Sequence, residues 1–250
     1  IYSSTEKWIR ERGVGGVALF SRNITDAHQV AQLTRDLQKL TKGKIPIFIA
    51  LDQEGGSVVR VTDGAVTLPG NMSLGATRSS ILAYLAGRAL AIDLKKLGFN
   101  MNLAPVLDVN SNPLNPVIGT RSYGERPELV GELGSWYIRG QQEMGMVAVA
   151  KHFPGHGDTS VDSHFTIPSI AADYKRLESV ELKPFRQAIS VGIDAVMTAH
   201  IALPRIAEEP DMPATLSTRL LQDTLRKRLG FNGIVVTDGL EMQGVVQRYG

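Results

Sequence analysis

The stretch Lys151 to His164, KHFPGHGDTSVDSH, places three of the chain's five histidines beside two aspartates in a run broken by glycine and proline. Three chemistries compete for it. His and Asp side chains could hold a metal, but the helical HExxH-type spacing that presents such ligands is missing. Lys151, at a strand end, stands where a barrel aldolase would carry a Schiff-base lysine. Asp162, two residues before His164, can orient the imidazole and favour its protonated form, which would make an acid/base pair on a glycine-bearing loop.

Three other stretches carry chargeable groups at comparable positions. In VVTDGLEM, Asp238 follows a Val and Ile strand and precedes a glycine, so its carboxylate is either a helix N-cap or a nucleophile projecting into a site. In DQEGGSVVR, Asp52, Glu54 and Arg60 form either a turn with a surface ion pair or a set suited to bidentate hydrogen bonding, with two glycines that let backbone approach a ligand. Arg121 of IGTRSYG is a ligand clamp or a salt-bridge partner. It lies in residues 109–127, VNSNPLNPVIGTRSYGERP, which lack helical or strand periodicity; loops of that length are often functional.

The elements that must position these groups follow one repeated pattern, an amphipathic helix closing on a glycine and then a short apolar strand ending in a polar residue. Val30, Leu33, Leu37 and Leu40 share one face of a helix expected over 25–42, and Gly43 offers its left-handed cap. Helices before Gly98, Gly145, Gly192 and Gly230 are each followed by an apolar run, and the strands end near Asp52, Asp108, Lys151 and His152, His200, and Asp238. Near-continuous apolar strands alternating with helices predict parallel strands buried on both faces. A doubly wound sheet gathers ligand residues at one switch point, whereas a (β/α)8 barrel lets every strand end contribute to one mouth. Almost every strand here ends in a chargeable group, so the expected fold is an α/β, TIM-barrel-like catalytic domain. About six strands are visible, beginning with GGVALF, fewer than the eight of a closed barrel. The expectation is therefore a barrel incomplete at the termini of this chain, or an irregular one.

Composition sets the outer limits. With 250 residues, 43% hydrophobic and 21% charged, and no Ser/Gly/Pro-rich linker, the chain reads as one globular domain spanning 1–250. A formal charge of +2 without a basic run argues against nucleic acid as a partner. The absence of cysteine excludes disulfides and thiolate metal sites but suits either redox compartment. The longest apolar runs, such as IPIFIAL, are strand-sized, so no membrane segment and no signal peptide is expected within the chain. Residue 1 is Ile, which leads to the expectation that an upstream segment has been removed. A cytoplasmic location and a secreted or lipoprotein-anchored one then both stay open.

The motifs LFSRNI, LDQEGGSVVR, LAPVLDV, IGTRSYG, KHFPGHGDTSVDSH, MTAHI and GFNGIVVTDGLEM, in that order, resemble the catalytic barrel of glycoside hydrolase family 3. More narrowly they resemble its NagZ-like β-N-acetylhexosaminidase branch, for which the loop ending DSH is the discriminating part. The resemblance implies a retaining exo-β-N-acetylglucosaminidase acting on muropeptides or chitooligosaccharides, with a carbohydrate substrate and no cofactor. It implies Asp238 as nucleophile, His164 as acid/base and Asp162 as the group that polarises His164. Asp52, Arg60, Arg121, Lys151 and His152 match positions that bind the terminal sugar, while His156 and Asp158 read as loop structure. A β-glucosidase or β-xylosidase of the same fold, and transfer to phosphate instead of water, are the alternatives. Two departures stand out: Gly239 replaces a second acidic residue found in many relatives, and strand material beyond the nucleophile and upstream of GGVALF is not seen.

Overall fold

The computed structural model describes residues 2–161 and 167–250, so Asp162 and His164 lie outside the described residues. In chain order the elements are α1 (Ser3–Arg12), β1 (Gly16–Ala18), α2 (Ala27–Lys39), β2 (Phe48–Leu51), α3 (Asn71–Thr77), α4 (Ser80–Lys96), β3 (Met101–Asn102), α5 (Pro127–Glu143) and β4 (Val147–Phe153). Then follow α6 (Tyr174–Ser179), α7 (Leu182–Ser190), β5 (Ala195–Thr198), a π-helical stretch Arg219–Arg228, β6 (Ile234–Thr237) and α8 (Gln243–Tyr249).

All strand pairs are parallel, and the sheet runs β1-β2-β3-β4-β5-β6 in sequence order. Sequential order without a switch point is the barrel arrangement rather than the doubly wound one. The sheet curls, because residues of β1 (Gly16, Val17) and β6 (Ile234, Val236) line the same cavity. Side chains alternate between faces along each strand. Ala50, Met101, Leu103, Val149, Ala195 and Met197 form an inner cluster, while Ile49, Leu51, Ala148, Ala150 and Val196 pack outward against the helices. Burial on both faces explains why β2 to β5 read as continuous apolar runs, whereas β1 and β6, at the two edges of the sheet, are only partly buried.

The helix-to-strand punctuation has the form expected. Gly98, Gly145, Gly192 and Gly230 all take φ between 70° and 86°, where a side chain would be strained. Helix α2 is shorter than the periodicity predicts: Asp26 caps it by accepting from Gln29 N at 2.8 Å, and it ends at Lys39 before a turn that reaches Gly43. The stretch from 109 to 127 contains only a short 3-10 turn at Gly119–Arg121 before α5 begins on Pro127.

Candidate active site

Most of the chargeable strand ends meet in one cavity of about 1020 Å³. Asp52, Arg60, Arg121, Lys151, His152 and Asp238 all line it, together with Glu54 and His156. Asp52 follows the last residue of β2 and Asp238 the last residue of β6, so both stand at C-terminal strand ends, where parallel barrels place their ligand groups. Lys151 and His152 sit within β4, and both side chains reach the cavity although neighbours on a strand normally face opposite ways. The β4–β5 register shifts between Ala150 and Phe153, so the regular pleat is interrupted where these two residues stand.

Two carboxylates and three cations form a continuous network on the β2 and β4 side. Lys151 Nζ lies 2.8 Å from Asp52 Oδ1 and 2.7 Å from Glu54 Oε1. The Arg121 guanidinium grips Glu54 as a fork, Nε to Oε2 at 2.9 Å and Nη2 to Oε1 at 2.8 Å. Arg60 completes the set with an Nη2 contact of 3.5 Å to Asp52 Oδ2. The side chains of Lys151 and Glu54 are each 2% exposed, so that pair is buried, whereas the Asp52–Arg60 pair within DQEGGSVVR stays partly exposed. Arg121 is thus both a salt-bridge partner and a cavity residue. The two glycines of that motif serve the protein's own backbone: Gly55 and Gly56 have φ of 92° and 58°, and Gly56 N donates to Leu68 O at 2.8 Å. A Cβ on Gly55 would come within 2.9 Å of Leu68 Cβ. Gln53 holds the Arg60 end, its Oε1 accepting from Arg60 N at 2.8 Å and Val61 N at 3.0 Å.

Asp108, fully buried, organises the base of the histidine loop. It accepts from His152 N at 3.2 Å and His156 N at 2.7 Å through Oδ1, and its Oδ2 lies 2.6 Å from His152 Nδ1. On the other side of the ring, His152 Nε2 is 3.4 Å from Arg121 Nη2. A guanidinium only donates, so Nε2 accepts and Nδ1 carries the proton toward Asp108. Beyond it, His156 Nδ1 meets Thr159 Oγ1 at 2.9 Å, and Asp158 accepts from Ser111 Oγ at 3.1 Å. His156 and Asp158 therefore shape the loop.

Asp238 is placed differently. Helix α8 starts five residues later with Met242 at its N-cap position, so Asp238 is not a helix cap. Its Oδ1 accepts from Gly239 N at 2.8 Å, and its backbone N donates to Thr198 O at 3.0 Å. The carboxylate stands on the β6 wall of the cavity and makes no salt bridge among the described residues.

Electrostatics sharpen the contrast. Burial alone would raise the Glu54 carboxyl, but Lys151 and the Arg121 fork outweigh it and hold it down to about 2. Asp52 is likewise lowered, burial being overcome by Lys151, and Asp108 is lowered by His152 against its own burial. Burial would lower Lys151, but Glu54 and Asp52 raise it, which keeps it a cation and a poor Schiff-base amine. His156 is pushed down to about 4 by burial. Since the unfolded chain takes up that proton first, stability is expected to fall as pH drops from 6.5 toward 4. The stabilisation from ionised Glu54 is complete above about 4.5 and lost as pH falls toward 2. Urea unfolding followed from pH 7 to 3 checks this: His156→Gln should remove the upper limb, and a wild-type curve flat down to pH 4.5 would contradict it.

Sequence reasoning singled out Asp52, Arg60, Arg121, Lys151, His152 and Asp238, and the fold brings all six together. It left Glu54 without a role and saw Asp108 only as a strand end. The signal for both was an acidic residue in or just after an apolar strand, which burial makes costly unless it is paired.

Fold and site define a parallel α/β domain of barrel type whose polar residues converge on one mouth at the strand ends. The family model described as Glycosyl hydrolase family 3 N terminal domain matches residues 1–250, and the chain belongs to that family. It is 40% identical over 249 residues to a β-hexosaminidase A from Pseudoalteromonas piscicida, covering 93% of this chain and 42% of the relative. A glycoside hydrolase family 3 β-N-acetylglucosaminidase from Paenibacillus sp. str. FPU-7 superposes with a TM-score of 0.97 at 47% identity, over 100% of this chain and 48% of that one. NagZ from Neisseria gonorrhoeae does so with a TM-score of 0.90 at 33% identity, covering 97% of this chain and 71% of that one. The chain thus spans less than half the length of the first two.

Proposed function

We propose that this chain is the catalytic barrel of a retaining exo-β-N-acetylglucosaminidase that removes terminal β-linked N-acetylhexosamine from muropeptides or chitooligosaccharides. The observation that carries the reading is the position of Asp238, a carboxylate without an ion-pair partner among the described residues, sharing a cavity with the Asp52–Lys151–Glu54–Arg121 network. The names of the relatives support the substrate class.

In this mechanism the network and His152 hold the terminal sugar through its hydroxyls, with Asp52, Arg60 and Lys151 offering charged acceptors and donors. Asp238 attacks C1 as the bond from C1 to the leaving oxygen breaks, and His164 gives that oxygen its proton. The product is a glycosyl ester on Asp238. His164, now neutral, takes a proton from water, whose oxygen attacks C1 and releases the Asp238 carboxylate. Two inversions give net retention. Asp162 favours the protonated state of His164 in the first step. The assignments of His164 and Asp162 rest on the DSH motif.

The test compares 4-nitrophenyl β-N-acetylglucosaminide, the matching β-glucoside and an N-acetylglucosamine disaccharide. Wild type should cleave the first and third and release the β-anomer first; preference for the glucoside would favour a β-glucosidase, and initial α-anomer would exclude retention. His164→Ala should lose about 10²- to 10⁴-fold on the disaccharide, whose leaving oxygen needs a proton, and less on the nitrophenyl substrate. Equal losses on both would place the acid/base elsewhere. Adding inorganic phosphate and looking for a sugar phosphate distinguishes water from phosphate as acceptor.

A further inference from the structure

His200 lies two residues beyond β5, in the MTAHI motif, and has no exposed surface. Its Nε2 is 2.9 Å from Gly239 O, the carbonyl one residue past Asp238. Its Nδ1 is 2.9 Å from Thr215 Oγ1, which also receives the Thr198 hydroxyl at 3.1 Å and lies 3.0 Å from Ala199 O. Thr198 in turn gives its carbonyl to Asp238 N and pairs in register with Thr237. The end of β5 and the turn after β6 are thus tied at two points, one through the main chain and one through the imidazole.

The proton count fixes the role of this ring. A carbonyl oxygen only accepts, so Nε2 must carry a hydrogen. In the neutral ring, Thr215 donates to Nδ1. In the charged ring, Nδ1–H donates to Thr215, which then passes its own proton to Ala199 O while accepting from Thr198. Both arrangements keep Nε2–H on Gly239 O. His200 is therefore a donor to that carbonyl whatever its charge, and a buried ring in such a place is unsuited to moving protons to a substrate.

Glycine after the nucleophile makes a restraint of this kind necessary. Without a side chain, Gly239 samples more backbone states than any other residue, and those states include ones that rotate the preceding peptide. That peptide supplies the N–H that Asp238 Oδ1 accepts. Gly239 O also receives Met242 N at 3.1 Å, so the same carbonyl begins the turn into α8. A Cβ at Gly239 would meet only the Glu241 carboxylate, the movable end of an exposed side chain, at 3.0 Å, so packing around Gly239 does little to hold the turn.

We infer that His200 is the positioning residue for Asp238, pinning the Gly239 carbonyl through Nε2–H so that the carboxylate is held in its attacking orientation. The inference rests on the nucleophilic role proposed for Asp238. Gln and Asn separate it from a general packing role, because the Gln amide reaches the place of Nε2 while the Asn amide reaches only that of Nδ1.

The experiment measures kcat, KM and unfolding temperature for wild type, His200→Asn and His200→Gln on the nitrophenyl N-acetylglucosaminide. A small displacement of a reacting group costs about 10²-fold, so His200→Asn should lose about that in kcat with KM changed little, and His200→Gln should recover most of it. Equal activity of the two variants, a loss confined to KM, or a loss that follows unfolding temperature would overturn the pin. Long-range ¹H–¹⁵N spectra of ¹⁵N-histidine protein give a reading independent of turnover: Nε2 of His200 should stay protonated from pH 5 to 9, and an Nδ1–H tautomer would refute the assignment. Inactive wild type with the Nε2–H signal present would sink the proposed activity and leave the pin standing.

Discussion

Replacing Asp238 by Asn is expected to lower kcat by about 10⁴-fold or more, the scale on which removing a nucleophile acts when no neighbour can replace it. The loss should come without unfolding. Asp238 makes one side-chain hydrogen bond, to the N–H of the next residue, and no salt bridge among the described residues, so little of the fold depends on its charge. Asp238→Ala is expected to be rescued by a small external nucleophile. It leaves room for a small anion on the face from which the carboxylate would attack, and added azide should restore turnover of a nitrophenyl substrate and yield the α-glycosyl azide. A β-azide, or an Asp238→Asn enzyme as fast as wild type, would place the nucleophile elsewhere.

Glu54→Leu is expected to destabilise the protein by about 3 to 5 kcal/mol, the effect of deleting one partner of a buried ion pair. Lys151 and Arg121 would then face each other across the space Glu54 now fills, with Asp52 left to neutralise Lys151 alone. For a chain of this length that corresponds to a fall in unfolding temperature of roughly 10 °C. Glu54→Gln keeps the volume and one acceptor, so its stability loss should be smaller while KM still rises, because Lys151 and Arg121 lose the charge that aligns them. Urea unfolding of both variants decides the point. A Glu54→Leu loss below about 1 kcal/mol would mean that water or Asp52 compensates and that the network is a surface feature after all.

These two residues also mark how much of the site was legible in the chain. Asp238 was visible because an apolar strand, a carboxylate and a glycine occur in immediate succession, and strand ends in a parallel sheet face a common mouth. Lys151, His152 and Asp52 were visible on the same ground. Glu54 was seen in its motif but not in its role, since a carboxylate two residues past a strand end can as easily be solvated as buried. Only its partners tell which, and Arg121 lies 67 positions away and Lys151 97, a separation that local pattern does not bridge. His200 escaped assignment for a related reason. Its ring is read through a carbonyl 39 positions downstream, and a backbone oxygen leaves no trace in residue type.

The sequence by itself determined the parallel alternation of helices and strands, because burial on both faces demands apolar runs and left-handed turns demand glycine. It also determined which residue types stand at the strand ends. The tertiary structure decided which of them are neutralised and which remain unpaired: curling of the sheet brings β2, β4 and the 109–127 stretch close enough for Lys151 and Arg121 to hold Asp52 and Glu54, and leaves the Asp238 carboxylate outside that network on the β6 wall. Charge interaction depends on distance in space and on burial, and both are set by the fold rather than by spacing along the chain.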